Sequence, residues 1–220
     1  MSLLEAENLY RFFHTGDEET LALQGVSLTL DRGETLAVTG PSGSGKSTLL
    51  ACLAGLDDPD GGSVRIAGER ISRLGEERRA AIRARSIGVL YQQSNLMGHL
   101  SVEQNIALAQ HYAGAGDAVA WRRELLEMCG VAHRSHARPL ELSGGELARA
   151  GLATALANDP AVVLADEPTG ELDSTTAEQI LALLAGRARS GSCVVIVTHS
   201  RELAAEADSI MTLRDGRVRG

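Results

Sequence analysis

One eight-residue segment constrains this 220-residue chain more than any other: Gly40-Pro-Ser-Gly-Ser-Gly-Lys-Ser47, which fits G-x-x-x-x-G-K-[ST]. It follows a short apolar run, Thr35-Leu-Ala-Val-Thr39, that reads as a strand. It leads into residues 47–54, which read as a helix ended by Gly55. Gly40, Gly43 and Gly45 let backbone N–H groups turn inwards around phosphate oxygens, and the helix N-terminus adds a partial positive charge. Lys46 is placed to reach β- and γ-phosphates, and the Ser47 hydroxyl to ligate Mg²⁺. The nucleotide-contacting set is therefore Gly40, Pro41, Ser42, Gly43, Ser44, Gly45, Lys46, Ser47 and Thr48. Of the 21 basic residues 20 are arginine, and Lys46 is the only lysine. Arg is a broad planar fork and Lys a compact point charge on a flexible stem. A position that keeps Lys against that usage marks a tight, preformed anion pocket. The expected fold is α/β, a P-loop NTPase core with a mostly parallel sheet.

A triphosphate on such a loop needs a Mg²⁺-orienting acid at the end of a neighbouring strand. Ala161-Val-Val-Leu-Ala165 is apolar and partly β-branched, like a strand buried on both faces. Asp166 and Glu167 follow at its C-terminal end, where open α/β sheets bind ligands. Asp166 suits the metal's coordination sphere, directly or through a water. Glu167 suits a general base that polarises the attacking water. A third strand, Cys193-Val-Val-Ile-Val197, leads into Thr198-His199-Ser200. Spacing alone leaves His199 between a surface residue and a sensor of the γ-phosphate.

Leu142-Ser-Gly-Gly-Glu146 reads locally as a capping box, with Ser143 as N-cap and Glu146 three residues on, opening a helix from 144 to about 157. Two glycines in its first turn weaken the helix and permit close backbone approach. This is a second phosphate-seeking helix end, remote from Lys46 in sequence, and it suggests two chains sandwiching one nucleotide.

The rest of the composition sets limits. Apolar residues make up 44% and charged residues 23%, which is ordinary for a globular chain. At about 150 residues per domain the length gives one domain with a sizeable insert. The longest apolar runs, 49–56, 161–165 and 193–197, fall well short of the roughly 18 residues of a membrane span. Residues 1–10 carry Glu5 and Glu7 and no basic stretch, so no signal peptide is expected and the expected location is the cytoplasm. A net charge of −8 disfavours a free nucleic-acid binder. Cys52, Cys129 and Cys193 form no C-x-x-C pair and read as buried reduced thiols.

Taken together, these motifs resemble the ATP-binding subunits of ABC transporters over essentially the whole chain. The phosphate loop is residues 40–47 and the glutamine loop Val89-Leu-Tyr-Gln92, followed by Gln93-Ser-Asn-Leu96. The signature is Leu142 to Glu146, and the acidic motif Val162-Val-Leu-Ala-Asp-Glu167. A loop Glu171-Leu-Asp173 and the switch histidine His199 complete the set. Within the superfamily the chain is most similar to the lipoprotein-releasing and macrolide-export branch, through Phe13-His-Thr-Gly-Asp-Glu18, Ala22-Leu-Gln-Gly-Val26 and Asp166-Glu-Pro-Thr-Gly-Glu-Leu-Asp173. The resemblance implies an adenine-stacking role for Phe13, with Tyr10 and Phe12 as rivals. It implies that Gln92 contacts Mg²⁺ or the attacking water and links to a membrane partner. Ser143, Gly144 and Gly145 would meet the γ-phosphate held by the opposite subunit, and Asp173 would lie at the subunit interface. Glu167, His199 and Gln92 form the catalytic set; Ser47, Gln92 and Asp166 the metal set. Three positions depart from the pattern. Glu146 replaces the usual Gln, Thr154 the second of two arginines after Arg149, and Gln104 a Glu.

The implied organisation is a single ABC ATPase domain, 1–220. Residues 1–92 and 143–220 carry the core and an N-terminal antiparallel β subdomain, and about 93–142 form an all-helical insert bearing the signature. Within it Ser101 and Gln104 form one capping box, and Asp117 caps a helix over 118–128 that Gly130 stops. The core is expected to run to Leu213 and the chain to end after the Arg214-Asp-Gly216 turn. The implied function is ATP hydrolysis coupled to transport. The cofactors are ATP and Mg²⁺; the partners are a second copy of the chain and a separately encoded membrane permease, with no nucleic acid. The implied location is the inner face of the cell membrane. Export or lipoprotein extraction is the first reading; signalling to envelope enzymes through a membrane protein, and import, are the alternatives.

Overall fold

The computed structural model describes residues 2–15, 18–92, 96–116, 118–170 and 172–219. Two sheets organise it. The first is antiparallel, in the order β2-β1-β4-β5, from β1 (Ser2–Thr15), β2 (Glu18–Asp31), β4 (Gly61–Ile66) and β5 (Glu69–Arg70). Its strands follow from period-two patterning: Val26, Leu28 and Leu30 on β2 are buried. The second sheet has the order β10-β9-β3-β8-β7-β6. It comprises β3 (Thr35–Thr39), β6 (Ile87–Leu90), β7 (Val162–Asp166), β8 (Cys193–Val197), β9 (Ser209–Arg214) and β10 (Arg217–Arg219). Its central pairs are parallel, and β10 lies antiparallel on β9.

Strands β7 and β8 are near-continuous apolar runs because both faces of this sheet are covered. Val162, Leu164, Cys193, Val195 and Val197 enter one core with the antiparallel sheet and helices α1 (Lys46–Leu53) and α2 (Glu76–Ser86). Val163, Ala165, Val194 and Ile196 enter a second core on the opposite face. There they meet α3 (Val102–Tyr112), α4 (Val119–Met128), α5 (Gly144–Ala155), α6 (Ser174–Arg189) and α7 (Arg201–Ala205). Among the described residues no helix is long and apolar enough to cross a membrane. The three cysteines are buried and free, and burial pushes each thiol up to about 12.

Two expectations are corrected. The chain does not end its regular structure at the Arg214–Gly216 turn, because β10 follows and pairs with β9. Nor is the acidic strand next to the phosphate-loop strand: β8 lies between β3 and β7. The second arginine's place is taken by Thr154, whose hydroxyl donates to the Ala150 carbonyl at 3.0 Å and makes no ion pair. Both capping boxes form, at Ser101–Gln104 and Ser143–Glu146. The Asp117 cap falls outside the described residues; Ala118 precedes α4 without a side-chain cap. Gly55 and Gly130 stop α1 and α4 as expected, with φ of 63° and 65°.

Candidate nucleotide site

The parallel ladder sets the site. Val38 pairs with Val197, and Val197 with Asp166, so three strands end in one row. One residue further, Thr198 N–H donates to Val38 O at 3.0 Å and Glu167 N–H to Val197 O at 2.9 Å. The phosphate loop, Glu167 and His199 therefore crown the same C-terminal edge of the sheet.

Only glycine fits two points of the loop. A Cβ on Gly40 (φ 145°) would sit 2.1 Å from the Leu213 carbonyl oxygen, and one on Gly45 (φ 101°) 2.3 Å from that of Ala22. The loop is thus wedged between β9 and β2. Lys46 Nζ donates to the carbonyls of Gly40 and Pro41, both at 2.9 Å. Ser44 is buried and its hydroxyl has no hydrogen-bond partner among the described residues. The loop lines a cleft of about 580 Å³ with Phe13 at its rim and Asp215 of the β9–β10 turn beside it. Phe13 alone of the three candidate aromatics borders this cleft. Tyr10 lies instead against Gly61 and Gly25, packing within the antiparallel sheet.

The acidic pair lies across β8. Burial raises the Asp166 carboxyl above its usual value, the Glu167 charge adds to this, and Lys46 partly opposes it. Glu167 has φ 46°, in the left-handed region where a non-glycine residue is strained. Its carboxylate is held at both oxygens: Thr198 Oγ1 donates to Oε2 at 3.3 Å, and His199 Nδ1 lies 2.8 Å from Oε1. Glu167, Gln92 and Gly144 line a second, smaller cleft between α5 and the segments that follow β6 and β7.

Ser143 caps α5 in full. Its Oγ accepts from Glu146 N–H at 3.3 Å, while its own N–H and hydroxyl donate to Glu146 Oε2 at 2.8 and 3.0 Å. These two donors, with Arg134 Nε and His133 Nε2 each 3.3 Å from Oε1, hold Glu146 below the usual carboxylate range. Asp173 caps α6, accepting from Thr176 N–H at 3.0 Å and Thr176 Oγ1 at 2.7 Å, which lowers its carboxyl likewise. Gly145 packs beside that threonine: a Cβ there would meet Thr176 Oγ1 at 3.0 Å.

Of the residues expected from sequence, Phe13, Ser42, Gly43, Gly45, Lys46, Ser47 and Thr48 share the first cleft. Gln92, Gly144 and Glu167 share the second. Ser143, Gly145 and Asp173 border neither. The sequence reading missed Thr198 as a holder of Glu167, Arg134 as a counter-charge to Glu146, and Arg11 beside Phe13. The signal for Arg11 was its strand spacing of two from Phe13, and that spacing names no partner.

The fold and the site define a P-loop nucleoside triphosphatase. Residues 23–170 match the family described as ABC transporter, and the chain belongs to that family as an ATP-binding, ATP-hydrolysing subunit. It is 43% identical over 219 residues to the lipoprotein-releasing system ATP-binding protein LolD of Chromohalobacter salexigens, covering 98% of this chain and 92% of that one. It is 44% identical over 218 residues to the macrolide export ATP-binding/permease protein MacB 1 of Aeromonas hydrophila, covering 98% of this chain but only 34% of that protein. A solved dimeric ATP-binding cassette in a post-hydrolysis state with ADP and Pi superposes with a TM-score of 0.91 at 35% identity, covering 99% of this chain and 97% of that one.

Proposed function

We propose that two copies of this chain close around two ATP molecules and drive a separately encoded membrane permease in export or lipoprotein extraction. The observation that carries the sandwich is the separation of two half-sites. Lys46 and Phe13 line one cleft, while the Ser143–Gly145 helix end lies outside it. One chain thus offers a phosphate loop and, elsewhere, a second anion-seeking N-terminus. A second copy supplies the missing half of each site, and the dimeric state of the solved relative supports this.

The donors fit Mg²⁺. Ser47 and Asp166 offer hard oxygen ligands: Ser47 lines the phosphate-loop cleft, Asp166 is close enough to Lys46 to feel its charge, and Gln92 lines the Glu167 cleft. Among the described residues no cluster of three or more His, Cys, Asp or Glu stands ready for a metal. That suits an ion held largely by phosphate and water oxygens. Ser47, Asp166 and Gln92 would hold such an ion, which would supply charge neutralisation at the phosphates. Lys46 holds the same phosphates, Ser44 offers them its unpartnered hydroxyl, and Phe13 stacks on the adenine. Glu167 orients and polarises the attacking water. His199 and Thr198 fix the Glu167 carboxylate, so the base does not wander between rotamers. The domain division, with residues 93–142 as a helical arm, is part of this reading.

The permease docks in a groove of about 640 Å³ between α2, β6, α3 and α5, whose floor is alanine-rich and whose rim carries Leu56, Tyr91 and Tyr112. Tyr91 borders both this groove and the Glu167 cleft, so an occupant of the groove touches the segment bearing Gln92. In this reading the chain works on the inner face of the membrane. The similarity to LolD and MacB favours lipidic or hydrophobic cargo.

A mixing experiment tests the composite site. Lys46→Ala loses the phosphate grip but keeps an intact Ser143 end; Ser143→Arg keeps the grip and loses the end. Each variant alone is expected to be inactive, and their mixture to regain ATP hydrolysis, because a mixed dimer contains one complete site. A mixture as inactive as its parts refutes the trans arrangement.

A further inference from the structure

Arg11 stands two residues before Phe13 on β1, and residues spaced by two project from the same face of a strand. Its guanidinium is clamped. Nε and Nη2 donate to the two carboxylate oxygens of Asp57 at 2.7 and 2.9 Å, and Nη1 donates to Asp60 Oδ2 at 3.1 Å. The same Asp60 oxygen accepts the Phe12 N–H at 2.8 Å, so the backbone next to Phe13 is tied to the clamp. A bidentate fork of this kind fixes orientation as well as distance. The side chain of Arg11 is only 21% exposed. In this orientation its Cζ lies 4.8 Å from the centroid of the Phe13 ring, within the range of a cation–π contact.

Phe13 itself is 40% exposed and borders the phosphate-loop cleft. An exposed ring at a strand end has two free side-chain torsions and loses that freedom when a flat ligand stacks on it. A fixed cation on one side removes much of the freedom beforehand. The ion pair has a bland purpose as well, since it staples β1 to the loop that follows α1. The two purposes make different predictions. A staple acts on the whole cleft through α1 and the phosphate loop, whereas a ring support acts only on a ligand that carries a base.

We propose that Arg11, clamped by Asp57 and Asp60, is a positioning residue that holds the Phe13 ring ready to stack on the base of the bound nucleotide. The inference rests on the reading of Phe13 as the base-stacking residue.

Isothermal titration of the full chain with ATP and with inorganic tripolyphosphate, which has no base, separates these cases. Arg11→Ala is expected to weaken ATP by roughly 2–5-fold, the equivalent of one exposed cation–π contact. Tripolyphosphate affinity should stay as in the wild type. In a Phe13→Ala background the same substitution should change nothing further. An equal loss for both ligands, or an undiminished loss without the Phe13 ring, overturns the proposal in favour of the staple. If Phe13→Ala leaves ATP binding intact, the stacking reading fails and takes this inference with it. If Phe13→Ala weakens ATP and Arg11→Ala does not, only the support role falls. Should Arg11→Ala not fold, Arg11→Lys keeps a charge for Asp57 but lacks the fork. It is expected to show the same base-specific loss, and wild-type ATP affinity in that variant also overturns the proposal.

Discussion

Lys46 and Glu167 are both held in place before any substrate arrives. The Lys46 ammonium is folded onto two carbonyls of its own loop at 2.9 Å each. Both bonds already carry the ammonium charge, and a phosphate oxygen adds the attraction of an opposite charge that a neutral carbonyl lacks. A triphosphate therefore recruits the ammonium over a short distance, with the chain stem already ordered. Lys46→Ala is expected to abolish tight ATP binding, since the chain has no other lysine. Titration with a fluorescent ATP analogue checks this, and wild-type affinity would remove the phosphate-loop assignment. At Glu167 the order is in the backbone. Its left-handed φ of 46° costs on the order of 1–3 kcal/mol and is offset by the Glu167–Val197 ladder bond and the contacts to Thr198 and His199. His199, which spacing left undecided between surface and sensor, is largely exposed and fastened to this carboxylate at 2.8 Å.

At the scale of elements, α5 shows a departure from the family pattern with its compensation built in. Glu146 closes the capping box and remains charged at neutral pH, because Ser143 donors and Arg134 hold its carboxyl down. If Ser143 meets a γ-phosphate, that carboxylate stands beside another negative group, and Arg134 is the fixed cation that offsets it. Arg134→Ala is then expected to lower ATP hydrolysis several-fold, and adding Glu146→Gln to restore it. Steady-state rates of the two single variants and the double variant decide; a double variant no better than Arg134→Ala would mean that Arg134 acts through its bond to the Glu141 carbonyl instead. Both capping boxes, β3, β7 and β8 were legible because caps and apolar runs are local signals, and the boundaries agree to within two residues. Strand β10 was not legible: Arg217-Val-Arg219 is exposed and too short for its alternation to register, and it exists only because β9 pairs with it. The placement of β8 between β3 and β7 is a matter of winding, which no window of sequence encodes. The Arg11 clamp joins residues 46 and 49 positions apart, and the Glu167–His199 contact residues 32 apart. Motifs named the site residues, while long-range pairing decided which of them touch.

For the whole molecule, the proposed sandwich implies a site that one chain cannot complete. The two cores flank one parallel sheet, so the phosphate loop, Glu167 and His199 are rigidly related through the β3–β8–β7 ladder. The Ser143 helix end belongs to the second core and borders a different surface. Replacing Glu167 with Gln keeps shape and hydrogen bonding at Thr198 and His199 while removing the basic carboxylate and one negative charge near the γ-phosphate. Hydrolysis should fall by about 10²–10⁴-fold, the range for a lost general base, and ATP affinity should survive. In the proposed sandwich, unhydrolysed ATP would then bridge Lys46 of one chain and Ser143 of its partner. Size-exclusion chromatography with light scattering is expected to show Glu167→Gln as a dimer with ATP and a monomer with ADP. Adding Ser143→Arg places bulk at the trans contact and should return the ATP-loaded protein to a monomer. Normal hydrolysis by Glu167→Gln removes the base assignment. A Glu167→Gln protein that binds ATP yet stays monomeric removes the self-assembled sandwich, and leaves closure of the two chains to a permease that holds them side by side.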